Sequence, residues 1–402
     1  MPSSLRRALA TTTLIQILST MSALSLTAIA VEVGRGLGIA PFHVGYQISL
    51  IYAAGAIASA AAGTLVDRYG AVRIEQVALA GFALGLLGIA TGTLAGAAIG
   101  SGLIGLGYGL QNPASSQILS RVTPRHRRGM VFSIKQAGVP IGGVLASVMF
   151  PLAILHMDWR AAVALAALPS LAMIALLARD HRGERHAPAP RRSFVAGFVA
   201  EQRLIWSKPI LRVLAMLGML YSSVQLSLSA FAATMLVTQG WSLVAAGAAA
   251  GFLQLCGALG RVSWGVVADR TGSGLPALAA IGFVSAGCMA AILELPVLPV
   301  AAQLAILGVL GLCMSGWNGV VMAEATHHCA PADTGRVIGG SLVYTFLGVM
   351  IGPAAFATGY DALGDYGLTF LFASVVALAG GALAVAAGRG ATQVARPSRV
   401  AG

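Results

Sequence analysis

Apolar runs of about 20 residues, each closed by a short polar stretch, set the rhythm of this chain. They centre near Ser22, Ala54, Gly85, Gly107, Gly143 and Ala167, then resume near Met219, Leu255, Phe283, Leu312, Leu347 and Val375. About 20 apolar residues in a helix cross the hydrocarbon core of a bilayer. The pattern therefore predicts an all-α membrane protein of twelve helices, arranged as two sets of six. The gap between the sets, roughly Arg179 to Lys208, holds Arg182, Arg185, Arg191, Arg192 and an Ala-Pro-Ala-Pro stretch. It reads as a basic linker with a short interfacial helix around Phe194 to Trp206. The expected divisions are 1–178, linker 179–208, 209–388 and tail 389–402.

The first run imitates a secretory leader, with Arg6-Arg7 ahead of it and Ala28-Ile29-Ala30 at its end. From Ala8 to Val31 it exceeds the roughly 7–15 residues of a leader core, so a retained first helix is expected. Alternate loops carry Arg6 and Arg7, Arg68 and Arg73, Arg121 to Arg128, the linker, Arg270, Arg336, and Arg389 to Arg399, against Arg35 and Arg160 on the other side. Excess Lys and Arg mark cytoplasmic loops. Both termini and the linker are thus expected in the cytoplasm, with the chain in the cell (inner) membrane.

Composition narrows the function classes. Charged residues make up 9% of the chain and hydrophobic ones 57%, whereas soluble domains carry roughly a quarter charged residues. The net charge of +12 resides in the short loops, which orientation explains better than nucleic-acid binding. Cys256, Cys288 and Cys313 fall within apolar runs and Cys329 in a loop, with no C-x-x-C pair, so neither disulfides nor zinc are indicated. His327 and His328 beside Cys329 read as a solvated loop. No phosphate-cradling loop, H-E-x-x-H or G-x-S-x-G motif is present, and no enzyme, metal or cofactor is expected.

One motif occurs twice, about half the chain apart. Gly63-Thr64-Leu65-Val66-Asp67-Arg68-Tyr69-Gly70 runs on to Arg73, and Gly265-Val266-Val267-Ala268-Asp269-Arg270-Thr271-Gly272 repeats it. Internal repetition in a hydrophobic chain points to the paired bundles of secondary transporters. Together with the six-plus-six count, the two copies resemble the loops between helices two and three and helices eight and nine of the major facilitator superfamily, bacterial type. In character the chain is similar to its anion and monocarboxylate carriers. The resemblance implies that Asp67, with Arg68 and Arg73, meets the start of helix eleven near Arg336, with Glu324 joining it. It also implies that Asp269, with Arg270, meets the start of helix five near Arg128 to Val131. These contacts would act as cytoplasmic latches; static loop capping is the other reading. Gly138 to Gly143 on helix five resembles a motif of proton-driven exporters, although glycine and proline there equally serve packing.

Polar residues within spans point to substrate, because lipid makes them costly. Arg261 lies eight residues before Asp269, about 12 Å along the helix, and its counterpart in the first half is Ser59. Among the anion carriers of this superfamily, an arginine at this point of helix eight binds the anion. An ion pair or snorkelling to the surface is the alternative. Lys135 is read either as snorkelling or as a second anion contact. Asn112 and Asn318 occupy matching positions, and Gln254, Tyr344, Tyr221 and Trp317 join the candidate substrate set, with Gln16, Gln225 and Tyr52 beside them. Among the acids, Asp67, Glu75, Asp269 and Glu324 are placed at the cytoplasmic rim and Glu32, Asp158, Glu294, Asp361 and Asp365 at the outer rim, and none is expected mid-span.

The function expected is secondary active transport by alternating access. The substrate would be a small organic anion, monocarboxylate-like, moved with protons by a monomer surrounded by lipid. The alternatives are a proton-driven drug or metabolite efflux antiporter and a transporter-like solute sensor.

Overall fold

The computed structural model describes residues 3–124, 128–180, 194–330 and 333–394. The linker arginines Arg182, Arg185, Arg191 and Arg192, and the tail from 395 onward, lie outside the described residues. All regular structure among the described residues is helical, as the apolar runs predict. In the first half the α-helices are α1 (Ser3–Ala23), α2 (Ser25–Ala28), α3 (Ala30–Leu37), α4 (Val44–Tyr69), α5 (Ala71–Ala90), α6 (Leu94–Val122), α7 (Arg128–Gln136), α8 (Gly138–Ala153), α9 (Trp159–Leu165) and α10 (Leu168–Asp180). After the linker come α11 (Phe194–Ser207), α12 (Pro209–Thr238), α13 (Leu243–Thr271), α14 (Gly274–Ala290), α15 (Val300–His327), α16 (Thr334–Leu363) and α17 (Tyr366–Val394).

Among the described residues, eleven segments, from Pro41–Tyr69 to Tyr366–Arg389, are long and apolar enough to cross a membrane. The remaining apolar run, the first, is broken into α1, α2 and α3. Hydroxyl side chains along it bond backward to carbonyls of the preceding turn. Ser22 donates to Leu18 O, Ser25 to Ser22 O and Thr27 to Leu24 O, each at 2.8 Å. Such back-bonding competes with the helical ladder and bends it. Helix five is likewise divided, into α7 and α8 at Ala137, beside Gly138 and Pro140.

Two compact units emerge. The first comprises residues 1–194 with 228–255 and 353–357, and the second 195–227, 256–352 and 358–402. Glycine pairs one turn apart seat helices against each other inside each unit. In the first, Gly105 and Gly109 of α6 face the carbonyls of Ile51 and Gly55 on α4, and Gly138 and Gly142 of α8 face those of Thr13 and Ile17 on α1. In the second, Gly348 and Gly352 of α16 face the carbonyls of Met219 and Ser223 on α12. Small residues allow this approach where lipid supplies no hydrophobic drive between helices. Gly138 and Gly142 of the exporter-like segment are thus engaged in packing α8 on α1.

The two motif loops share one backbone feature. Gly70 and Gly272, the last glycines of the two copies, have φ of 90° and 69°, a region that disfavours a Cβ. A Cβ on the first glycines, Gly63 or Gly265, would meet nothing within 4 Å.

Candidate functional site

The densest polar constellation lies inside the first unit, on α1, α5, α6 and α7. Gln111 and Ser115 stand one turn apart on α6, which places both on one face. Gln111 Nε2 donates to Gln16 Oε1 of α1 at 3.3 Å and to Ser115 Oγ at 3.1 Å. Ser115 Oγ in turn donates to Glu75 Oε1 of α5. Gln16 Nε2 continues the chain to Ser19 Oγ at 3.2 Å. Beside it, Lys135 Nζ of α7 donates to Asn112 Oδ1 at 2.5 Å. Glu75 is wholly buried and Lys135 is 2% exposed, and their charges act on each other. Leu5 and Leu9 of α1, Leu119 of α6 and Val131 of α7 form a buried apolar cluster.

Two expectations are corrected by this geometry. Glu75 is not a rim residue. It occupies the buried stripe of α5 formed by Ala71, Ile74, Ala78, Leu79 and Phe82, and helical spacing with apolar neighbours was the signal that marks it. Lys135 does not snorkel, because its ammonium ends on a neighbouring helix rather than at the surface.

The other candidates are distributed over both units. Gln254 of α13, half-buried, packs its amide over Gly143 of α8. Tyr221 is fully buried; its hydroxyl donates to Leu278 O at 2.7 Å and its ring lies on Gly380. Trp317, 2% exposed, donates Nε1 to Gln225 Oε1 at 2.9 Å. These contacts make both aromatic groups helix-packing elements. Asn318 is half-buried and, with Gly218, Ser341 and Thr345, lines a cavity of about 10 Å³, room for a single water at most. Arg261 is half-buried within α13. Its neighbour Gly260 lies against Leu312 of α15, and Trp264 against Gly316, so the arginine is carried by a tightly seated helix pair.

Tyr344 turns toward the linker helix. Its hydroxyl accepts from Trp206 Nε1 at 2.6 Å and donates to Gln202 Oε1 at 3.0 Å. Gln202 Nε2 also donates to Gly340 O at 3.3 Å. The segment around Phe194 to Trp206 is therefore a helix, α11, docked along α16. On it, burial holds the Glu201 carboxyl above its ordinary range, and the Arg336 charge opposes that rise.

Of the motif residues, Asp67 is exposed and accepts from Gln117 Nε2 of α6 at 3.2 Å. Arg68 lies over the Tyr69 ring, Arg73 is exposed, and so are Asp269 and Arg270. Arg336 donates to Asp333 at 3.3 Å. Glu324 is buried at the α14 N-terminus, where it accepts from Gly274 N at 2.6 Å and Ser273 Oγ at 3.1 Å, with His328 Nε2 at 3.3 Å. A carboxylate there satisfies unpaired helix N–H groups and meets the positive end of the helix dipole. It thereby holds the loop that follows the second motif copy.

Residues 12–353 match the family model described as Major Facilitator Superfamily. The chain belongs to that superfamily. With eleven candidate spans among the described residues it is a multi-pass membrane protein. Curated relatives include the "Putative metabolite transport protein YwtG" of Bacillus subtilis (strain 168), 30% identical over 141 residues. A second is the "Plastidic glucose transporter 4" of Arabidopsis thaliana, 30% identical over 142 residues. The matches span 35% and 34% of this chain but only 31% and 26% of those proteins. Similar solved structures include a bacterial homolog to the human lysosomal transporter Spinster in an inward-facing, occupied conformation, with TM-score 0.78, 14% identity and coverage of 96% and 97% of the two chains. The D-xylose-proton symporter gives TM-score 0.76 and 15% identity over 94% of this superfamily member and 96% of that chain.

Proposed function

We propose that this superfamily member is a secondary active transporter that moves a small organic anion, monocarboxylate-like, by alternating access. One observation carries the reading: Arg261 places a permanent charge inside the apolar span Leu243–Thr271, whose remaining charged residues, Asp269 and Arg270, are confined to the last turn. A guanidinium offers forked donors that match a carboxylate. Lys135 and Asn112 supply a second cationic position in the first unit, and Asn318 a neutral donor in the second. Asp67, Arg68, Arg73, Asp269, Arg270, Glu324 and Arg336 would form the cytoplasmic gate. The distribution of arginines among the loops supports an inner-membrane orientation with both termini in the cytoplasm.

A neutral polyhydroxylated metabolite is the second reading. It is favoured by the amides and hydroxyls of Gln16, Gln111, Asn112 and Ser115, and by the names of the metabolite, glucose and xylose carriers above.

Calorimetry on the purified full chain, with acetate, lactate, glucose and xylose, separates the two. The anion reading expects carboxylates to bind and Arg261→Ala to weaken them by about 2–5 kcal/mol, the cost of removing one member of a buried hydrogen-bonded charge pair. Arg261→Lys should fall between, since a point charge does not reproduce the fork. Sugar binding that survives Arg261→Ala, with no carboxylate binding, supports the second reading.

A further inference from the structure

Two buried acceptors around Ser115 lack donors. Glu75 Oε1 accepts from Ser115, while Glu75 Oε2 has no hydrogen-bond partner. Gln111 Oε1 has none either, although its Nε2 serves both Gln16 and Ser115. The two orphan atoms flank one hydroxyl bridge. An ionised carboxylate in that setting lacks donors to replace its water shell, whereas a carboxylic acid brings a donor of its own. Lys135, whose charge acts on Glu75, donates to the neutral Asn112. The charged residues of the other elements packed against α5 stand at the ends of those elements: Arg6 and Arg7 on α1, Asp67 and Arg68 on α4, Arg121 on α6, Arg160 on α9. In α10 they are its last two positions, Arg179 and Asp180.

We propose that Glu75 is an exchangeable proton site whose occupancy governs Lys135. When Glu75 is ionised, its carboxylate neutralises the ammonium. When a proton binds, Glu75 becomes neutral and Lys135, left with Asn112, is free to receive an anion. One proton and one monovalent anion enter together, so the net charge of the site is the same before and after loading. The anion half of this cycle rests on the function proposed above; the proton site does not.

The test has a ligand-free arm and a ligand arm. Infrared spectra of the full chain in detergent should show a protonated-carboxyl carbonyl band that disappears on alkaline titration and is missing from Glu75→Gln. That variant keeps the oxygen that accepts from Ser115. In Lys135→Met the band should persist to higher pH, because the charge that favours ionisation is gone. A band identical in wild type and Glu75→Gln overturns the proposal. In the second arm, the dissociation constant for lactate should rise about tenfold per pH unit through the alkaline side of the titration, the limit for one linked proton. In Glu75→Gln it should be independent of pH and equal to the low-pH wild-type value. Persistence of the full pH dependence in Glu75→Gln overturns the coupling. Loss of the band in Glu75→Gln without lactate binding at any pH confirms the proton site and counts against the anion reading alone.

Discussion

Glu324 offers the most quantitative check on how the second motif loop is held. Its carboxylate is 5% exposed and accepts from Gly274 N at 2.6 Å and Ser273 Oγ at 3.1 Å. Hydrogen bonds to a charged group contribute roughly 1.5–3 kcal/mol each, and the charge at the helix N-terminus about 0.3–2 kcal/mol. These contributions overlap, because the N–H of Gly274 is itself part of the dipole. Glu324→Ala should therefore destabilise the second unit by about 2–4 kcal/mol. Glu324→Gln, which keeps an acceptor and loses the charge, should cost about half as much. A Cβ on Gly274 would sit 2.8 Å from Val320 Cγ1 and 3.1 Å from Glu324 Oε2. Gly274→Ala and Glu324→Ala should consequently combine less than additively. The assay is thermal unfolding of the detergent-purified full chain followed by intrinsic tryptophan fluorescence, with the exposed Glu294→Ala as control. If Glu324→Ala unfolds with Glu294→Ala and wild type, the capping argument is wrong.

Other positions give further expectations. Gly109→Val would drive a side chain into the Gly55 carbonyl on α4; overpacking of this kind costs about 1–3 kcal/mol or more and should show as aggregation on size exclusion, while Gly102→Ala, with nothing within 4 Å, should behave as wild type. The linker helix should undock from α16 in Tyr344→Phe, which removes both the bond from Trp206 and the bond to Gln202, and iodide should then quench Trp206 more strongly. Docking should also depend on pH. Burial raises the Glu201 carboxyl, so the docked state binds more protons than the undocked one, and docking should weaken as pH rises from the ordinary carboxyl range through the raised value. Glu201→Gln should abolish that dependence.

The alternation of apolar runs and arginine-bearing loops made the helical segments legible, because length and apolarity alone decide whether a segment can span lipid. The turn glycine of each motif copy was legible for the same local reason: Gly70 and Gly272 follow directly from what a tight reversal demands of one residue. Breakage of the first run into three was not read, since an apolar run of spanning length carries no signal of where its helix is interrupted. The burial of Glu75 was misjudged by counting residues from the loop. Its apolar i±3 and i±4 neighbours, Ala71, Ala78 and Leu79, carried the better signal. What no local pattern supplies is the company of Ser115, which lies on another helix, or the meeting of Lys135 with Asn112. Tyr344 illustrates the same limit, because its partners Gln202 and Trp206 belong to a linker helix that was legible while the helix it docks on was not.

Transport itself is the most direct measure of the central claim. Proteoliposomes containing the full chain should accumulate labelled lactate or acetate when an inward proton gradient is imposed, and Arg261→Ala proteoliposomes of equal protein content should not. Equal carboxylate uptake by the two preparations would contradict the account, as would a wild type that carries sugars or lipophilic cations and no carboxylate.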